Sequence, residues 1–398
     1  MKVAYVLSQN SGGLPHYAAE LANAVRRHAD VVVLKPSETT ADDVFADDLE
    51  VINVFDPMWM SIPELYKRNF RVIDNLRALS SYHRLGVLDE IEPDVVHDPT
   101  GFLPQTRLFS GLYGIDERYP LVVTYHEIPP DTFSTFRSIS TEELFSALFY
   151  DAIGAVLPRV TLAKRIVHSE KQHRALVQRG VFPLEIEVIP HGVYEFFGRY
   201  EYEAAPEEDD RLLFFGNVIP AKGIDTLVRS IPLVAEEIPD VTLVVAGNGR
   251  VPKRSRSIIA THDQHFEVHD RFVPNEEVGT FFSRAQVVVL PYNHQGGETK
   301  GHSGVLSTAL SFGKPVVTTT IGDFPTLVED TGCGVVVPPS DPERLAEAIV
   351  CVLRDDDRRA RMAENSSRQS EQLSWEKVAH EHVSVYEEAI TSHRARNR

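Results

Sequence analysis

Three short stretches set reactive residue types directly after apolar runs. "VVTYHE" ends such a run on His126, "FFGNVIPAKGID" passes from Gly216 to Lys222, and "SQNSGGLPHYAAELA" sets Gly12 and Gly13 between an apolar run and a helix-period segment. Glycine lacks a Cβ, so backbone amides there can approach an anion, and a following helix N-terminus adds positive potential. A lysine ammonium suits a diphosphate as a point charge. An imidazole titrates near neutrality, so it can bond a hydroxyl or share a proton. Each residue also has an ordinary reading: two glycines make a tight turn, a lysine is usually solvated, and His126 is one of 16 histidines. Position at strand ends and helix starts is what raises the chemical reading. The glycine spacing is not G-x-G-x-x-G, which disfavours a dinucleotide site.

The elements that carry these residues alternate. "KVAYVLS", "DVVVL", "DVVH", "LVVTYH", "RIVHS" and "EIEVIPHG" read as strands, with helix-period segments such as "YAAELANAVRRH" between them. After the acidic stretch "YEYEAAPEEDD", the pattern restarts with "RLLFFGNV", "VTLVVAGNG", "AQVVVLPY", "PVVTTT" and "GVVVPP". Strands separated by helices build parallel βαβ units and doubly wound sheets. The expected fold is α/β, with two Rossmann-like domains facing across a cleft at their strand carboxyl ends. The expected boundaries are residues 1–199, a linker at 200–210, a second domain at 211–372 and a terminal helix at 373–398 that packs back on the first domain.

The chain of 398 residues is long enough for two cores. A net charge of -18 argues against nucleic-acid binding, which needs a cationic surface. Lysine supplies only 10 of 40 basic residues, and acidic patches such as "ADDVFADD" recur, which is either plain solubility or adaptation to a salt-rich cytoplasm. No apolar run has membrane-spanning length, and the start of the chain does not read as a leader, so the expected location is cytoplasmic. Two cysteines, Cys333 and Cys351, argue against a disulfide framework and read as small buried apolar residues.

Taken in order, "SGGLPHYAAELA", "VVTYHE", "IVHSE", "VIPHGV", "GNVIPAKGID", "VVAGNGR", "VVVLPY" and "ALSFGKPVVTT" resemble the retaining nucleotide-sugar glycosyltransferases of family four, which have the GT-B fold. The resemblance implies transfer of a hexose-type sugar from a nucleoside diphosphate sugar, UDP- or GDP-linked, to an acceptor hydroxyl on a glycan, lipid or small molecule. It implies neither a metal nor a cofactor. By the same resemblance the catalytic residues are His126 and Lys222. The donor contacts are Gly12, Gly13, Gly216, Asn217, Lys222, Glu298, Ser303, Gly304, Val305 and Thr308. His97 and His191 hold similar positions with weaker cases. Independently of the family, cleaving a bond from an anomeric carbon to phosphate leaves an oxocarbenium-like sugar and a growing negative charge, so fixed donors aimed at the phosphates lower the barrier.

The chain departs from the family at one place. Two glutamates are usual in the helix before "GKPVV", and this sequence has Lys300 and Thr308 at those positions. The basic pair on the diphosphate is also altered, because Asn217 stands where arginine is common. Two readings follow. Either the nucleotide is held through Thr308, Glu298 and backbone amides of Ser303, Gly304 and Val305, or the chain is a noncatalytic homologue acting as a partner or scaffold. A GT-B sugar-nucleotide epimerase is a third, with His191 and Glu298 as its acid and base. The basic stretch from Glu64 to Leu85 reads as one solvated helix of the fold or as a peripheral contact with an anionic inner membrane face.

Overall fold

The computed structural model describes residues 1–57, 72–128, 157–200, 206–294 and 303–396. The chain divides into two compact units: Met1–Pro190 together with Trp375–Arg398, and His191–Ser374.

In the first unit seven parallel strands pair in the order β3-β2-β1-β4-β5-β6-β7. They are β1 (Lys2–Val6), β2 (Asp30–Pro36), β3 (Glu50–Phe55), β4 (Val95–Asp98), β5 (Leu121–Tyr125), β6 (Lys164–Val167) and β7 (Ile186–Val188). The second unit orders six parallel strands as β10-β9-β8-β11-β12-β13. These are β8 (Arg211–Phe215), β9 (Thr242–Ala246), β10 (Phe266–His269), β11 (Val287–Leu290), β12 (Val316–Thr319) and β13 (Gly334–Val337). Each sheet reverses its winding once, between β1 and β4 and between β8 and β11. Crevices at the carboxyl ends of strands open at such switch points.

Central strands are mostly apolar because helices cover both faces of a parallel sheet. All four residues of β11 are buried, and so are four of the five in β1. The edge strands β3 and β10 differ, mixing charged and half-buried positions that face solvent on one side.

The terminal helix Trp375–Arg396 returns to the first unit and packs on the helix Gly13–Val25. A buried polar chain fastens it there. The Tyr386 hydroxyl lies 2.8 Å from the Tyr5 hydroxyl and 2.8 Å from His97 Nδ1, while His97 Nε2 lies 2.9 Å from the Thr124 hydroxyl. These groups have no exposure to water, so the shared hydrogen bonds replace the hydration each gives up on folding. Cys333 is buried as its sequence suggests, but Cys351 is exposed, on the solvent side of the helix Pro342–Arg354. Among the described residues no helix is long and apolar enough to cross a membrane.

Candidate functional site

At the switch point of the second sheet, the loop after β8 meets the loop after β11. Gly216 leaves β8 at φ 93°, and Gly223 starts the helix Ile224–Glu237 at φ 71°. Neither position tolerates a side chain. A Cβ on Gly223 would lie 1.7 Å from the Pro291 carbonyl oxygen, and one on Gly216 would lie 2.8 Å from Lys222 Nζ. The ammonium of Lys222 is therefore folded back over the strand end, with its Nζ 5.6 Å from the centre of the Tyr292 ring. A cation over an aromatic face is attracted by the ring, and among the described residues no carboxylate pairs with it. The turn that carries Lys222 is fastened from the neighbouring loop, since Asn293 donates its side-chain amide to the Pro220 carbonyl at 2.8 Å and its backbone N–H to Ala221 at 3.1 Å.

The helix Gly304–Ser311 opens at the same corner. Ser303 caps it by accepting from the Leu306 N–H, and its hydroxyl also lies 2.9 Å from the Tyr292 hydroxyl. A Cβ on Gly216 would also come within 3.4 Å of Val305, which fixes how close the start of this helix is to Lys222. Gly304 has no space for a side chain, because a Cβ there would meet the Tyr194 ring at 2.8 Å. Thr308 is buried and its hydroxyl donates to the Gly304 carbonyl at 2.9 Å. Asn217 is exposed beside Gly216. The second unit thus gathers Gly216, Asn217, Lys222, Ser303, Gly304 and Val305 at one corner, whereas Glu298 and Lys300 lie outside the described residues. Tyr292 and Asn293 were not singled out from the sequence; their signal was "VVVLPYN", an apolar run ending in an aromatic and an amide.

In the first unit, Gly12 caps the helix Gly13–Val25 at φ 83° with nothing within 4 Å of its missing Cβ. Its carbonyl receives the Thr40 hydroxyl at 3.1 Å and lies 3.0 Å from His16 Nδ1, which fixes the loop while Gly12 and Gly13 stay exposed. His126 follows β5 and His168 follows β6, at adjacent positions in the ladder. His126 Nε2 lies 2.8 Å from the Pro99 carbonyl, His168 Nδ1 lies 3.0 Å from the Ile189 carbonyl, and His168 Nε2 lies 3.1 Å from His126 Nδ1. Carbonyl oxygens only accept, so each outer nitrogen must carry a hydrogen for its bond to exist. The central contact then needs a third proton. All three hydrogen bonds form together only when the two rings share one positive charge.

Other titratable groups lie buried in the same unit. Burial lowers His97 well below the ordinary imidazole range and lowers His382 to about 4, so both rings stay neutral near pH 7. Burial pushes the Asp98 carboxyl up to about 6, against the lowering pull of the Thr100 N–H and hydroxyl. Both His97 nitrogens are engaged inside the unit, and His191 is buried in the second unit beside Tyr194. His168 was legible only as the last residue of a repeated pattern, since β4, β5 and β6 all lead directly into or end near a histidine.

Two doubly wound parallel sheets, with glycine-rich turns and a lysine at the winding reversals, define an α/β protein of the two-domain GT-B class. A family model described as "Glycosyltransferase Family 4" matches residues 11–194, and one described as "Glycosyl transferases group 1" matches residues 209–355. Sucrose-phosphate synthase from Thermosynechococcus elongatus has a similar structure, with a TM-score of 0.71 at 18% identity, covering 98% of this chain and all of that one. HepE of Anabaena, solved in complex with UDP and glucose, has a TM-score of 0.68 at 17% identity over 96% of this chain and 98% of its own. The chain therefore belongs to the family-four glycosyltransferases with the GT-B fold. Curated relatives include the D-inositol 3-phosphate glycosyltransferase of Salinispora tropica, 30% identical over 48% of this chain and 41% of that protein. Another is the phosphatidyl-myo-inositol mannosyltransferase of Mycolicibacterium smegmatis, 28% identical over 50% of this chain and 51% of that protein. The chain spans about half the length of the curated relatives it matches.

Proposed function

We propose that this protein is a retaining glycosyltransferase that moves a hexose-type sugar from a nucleoside diphosphate sugar to an acceptor hydroxyl without a metal. The observation that carries the reading is Lys222, held over Tyr292 against Gly216 beside the start of the helix Gly304–Ser311. An ammonium and the first amides of a helix are the two kinds of group that stabilise a departing diphosphate. Loss of the sugar to the acceptor leaves that diphosphate with added negative charge, which Lys222 and the amides of Gly304 and Val305 would take up. Gly12, Gly13 and His126 act on the same donor, His126 with the proton it shares with His168. The UDP and glucose bound by HepE support a nucleotide-sugar donor. Acceptors in this reading are a glycan, a lipid or a small molecule, handled in the cytoplasm or at the inner membrane face. Of the stretch proposed for membrane contact, residues 64–71 lie outside the described residues, and the rest falls in a helix over Val72–Ser81 and a 3-10 turn over Tyr82–Val87.

One observation favours a noncatalytic homologue. Thr308 stands where a ribose-binding carboxylate is usual, and its hydroxyl is turned to its own helix. Calorimetric titration with UDP, GDP, ADP and their sugar conjugates separates the two. An enzyme binds one nucleotide, and Lys222→Ala weakens it by about tenfold to a hundredfold, the worth of a charge-assisted hydrogen bond. A folded sample that binds none of them refutes transfer.

A further inference from the structure

The helix Gly13–Val25 ends in a turn carrying Arg27 and His28, and the terminal helix brings Glu376 and His380 against it. His28 Nε2 lies 3.1 Å from Glu376 Oε1, and His380 Nε2 lies 3.6 Å from the same oxygen. The two imidazole rings stand 4.3 Å apart at 44°. Two ring nitrogens and one carboxylate oxygen thus converge, all within 4.8 Å of one another. Glu376 and His380 are four residues apart on one helical face, so their approach is set by the helix itself. The other carboxylate oxygen, Oε2, accepts from Arg27 at 3.0 Å, which orients the carboxylate and leaves Oε1 turned toward the two rings.

We propose that His28, Glu376 and His380 form a binding site for a divalent transition ion of the zinc type, which clamps the terminal helix to the first unit. Ligand bonds of about 2.0–2.2 Å place neighbouring donors of a tetrahedral ion roughly 3.3 Å apart, close to the two nitrogen–oxygen separations of 3.1 and 3.6 Å found here. Two imidazoles with one carboxylate select zinc, nickel or copper over magnesium or calcium, which prefer all-oxygen shells. Each ring coordinates through Nε2 and moves its hydrogen to Nδ1, and water completes the shell. With three protein ligands at the surface and Arg27 beside one of them, the affinity falls in the micromolar class, below that of a closed four-ligand site.

The site serves no step of sugar transfer. It lies beyond the far end of the Gly13–Val25 helix, whose 13 residues span roughly 20 Å from the Gly12–Gly13 loop. What it fixes is the first turn after the chain passes from the second unit to the first, between Ser374 and Trp375.

The test titrates zinc chloride alone into full-length protein stripped with a chelator, by calorimetry and by thermal unfolding. One equivalent bound with micromolar affinity and a rise in the midpoint are expected, with His28→Ala, His380→Ala and Glu376→Gln each weakening it about tenfold or more. Copper should quench the fluorescence of Trp375, next to Glu376, in the wild type and not in the His28→Ala variant. Each variant should unfold at the wild-type midpoint when chelator is present, which separates loss of the ion from loss of the fold. Zinc uptake unchanged in a His28→Ala, His380→Ala double variant, or no stoichiometric uptake by the wild type, overturns the proposal.

Discussion

The acid stability of the first unit should be governed by an uneven proton count in its core. Burial holds His97 and His382 neutral, His382 titrating at about 4 against an ordinary 6.5, and holds Asp98 protonated up to about 6 against an ordinary 3.8. The two kinds of group work in opposite senses. Each depressed imidazole contributes stability that is present above its unfolded pKa and lost as pH falls toward its folded one. The raised carboxyl contributes stability below its unfolded pKa and loses it as pH rises through its folded one. At about pH 5 the unfolded chain binds a proton on both imidazoles and none on Asp98, whereas the folded unit binds one on Asp98 and none on the imidazoles. Two protons against one makes stability climb by about 1.4 kcal/mol per pH unit from these three groups. Separately, His382 and Asp98 are each worth about 3 kcal/mol over their shifts, with opposite sign. Asp98→Asn removes the opposing proton and should steepen the slope by about 1.4 kcal/mol per unit, while His382→Gln should flatten it by the same amount. Urea unfolding between about pH 4.5 and 5.5, followed by tryptophan fluorescence, reads this directly, because Trp375 is buried in the first unit. Slopes for Asp98→Asn and wild type that agree within about 0.4 kcal/mol per unit would refute the account.

Two further outcomes are expected. Gly304→Ala sets a methyl against the Tyr194 ring, which is itself wedged by His191, Phe196 and Phe197, and should cost the second unit about 1–3 kcal/mol in a thermal or urea melt. His168→Gln still offers an N–H to His126 Nδ1 but cannot carry charge, so the rate of sugar transfer should drop and lose one titrating step from its pH profile; an unchanged profile would show that His168 is only a packing residue.

The strands legible in the sequence were those rich in β-branched residues, the edge strands in "EIEVIPHG" and "GVVVPP" among them. "VVVL" and "KVAYV" announce themselves because a central parallel strand is covered on both faces and is mostly apolar. "EVINVF" and "FEVH" were not read as strands, since an edge position wets one face and mixes Glu50, Asn53 and Glu267 into the run. The candidate site divided the same way. Lys222, Gly216 and Gly12 stood out because strand-to-turn-to-helix spacing is local. His168 did not, because its meaning depends on a neighbour 42 residues earlier in the chain that only strand pairing brings beside it.

The return of the terminal helix makes the two units unequal as pieces of chain. Residues 191–374 form one unbroken segment, while the first unit is assembled from two. During synthesis the N-terminal sheet emerges first but must wait, with Tyr5 and His97 lacking the Tyr386 hydroxyl, until the whole second unit has been made. The later-made unit can thus finish folding before the earlier one. A gene fragment ending near Pro190 should yield an aggregation-prone product, and one that joins the terminal helix directly to Met1 by circular permutation should rescue it. Recombination that exchanges the second unit between relatives therefore has to keep both crossings of the chain.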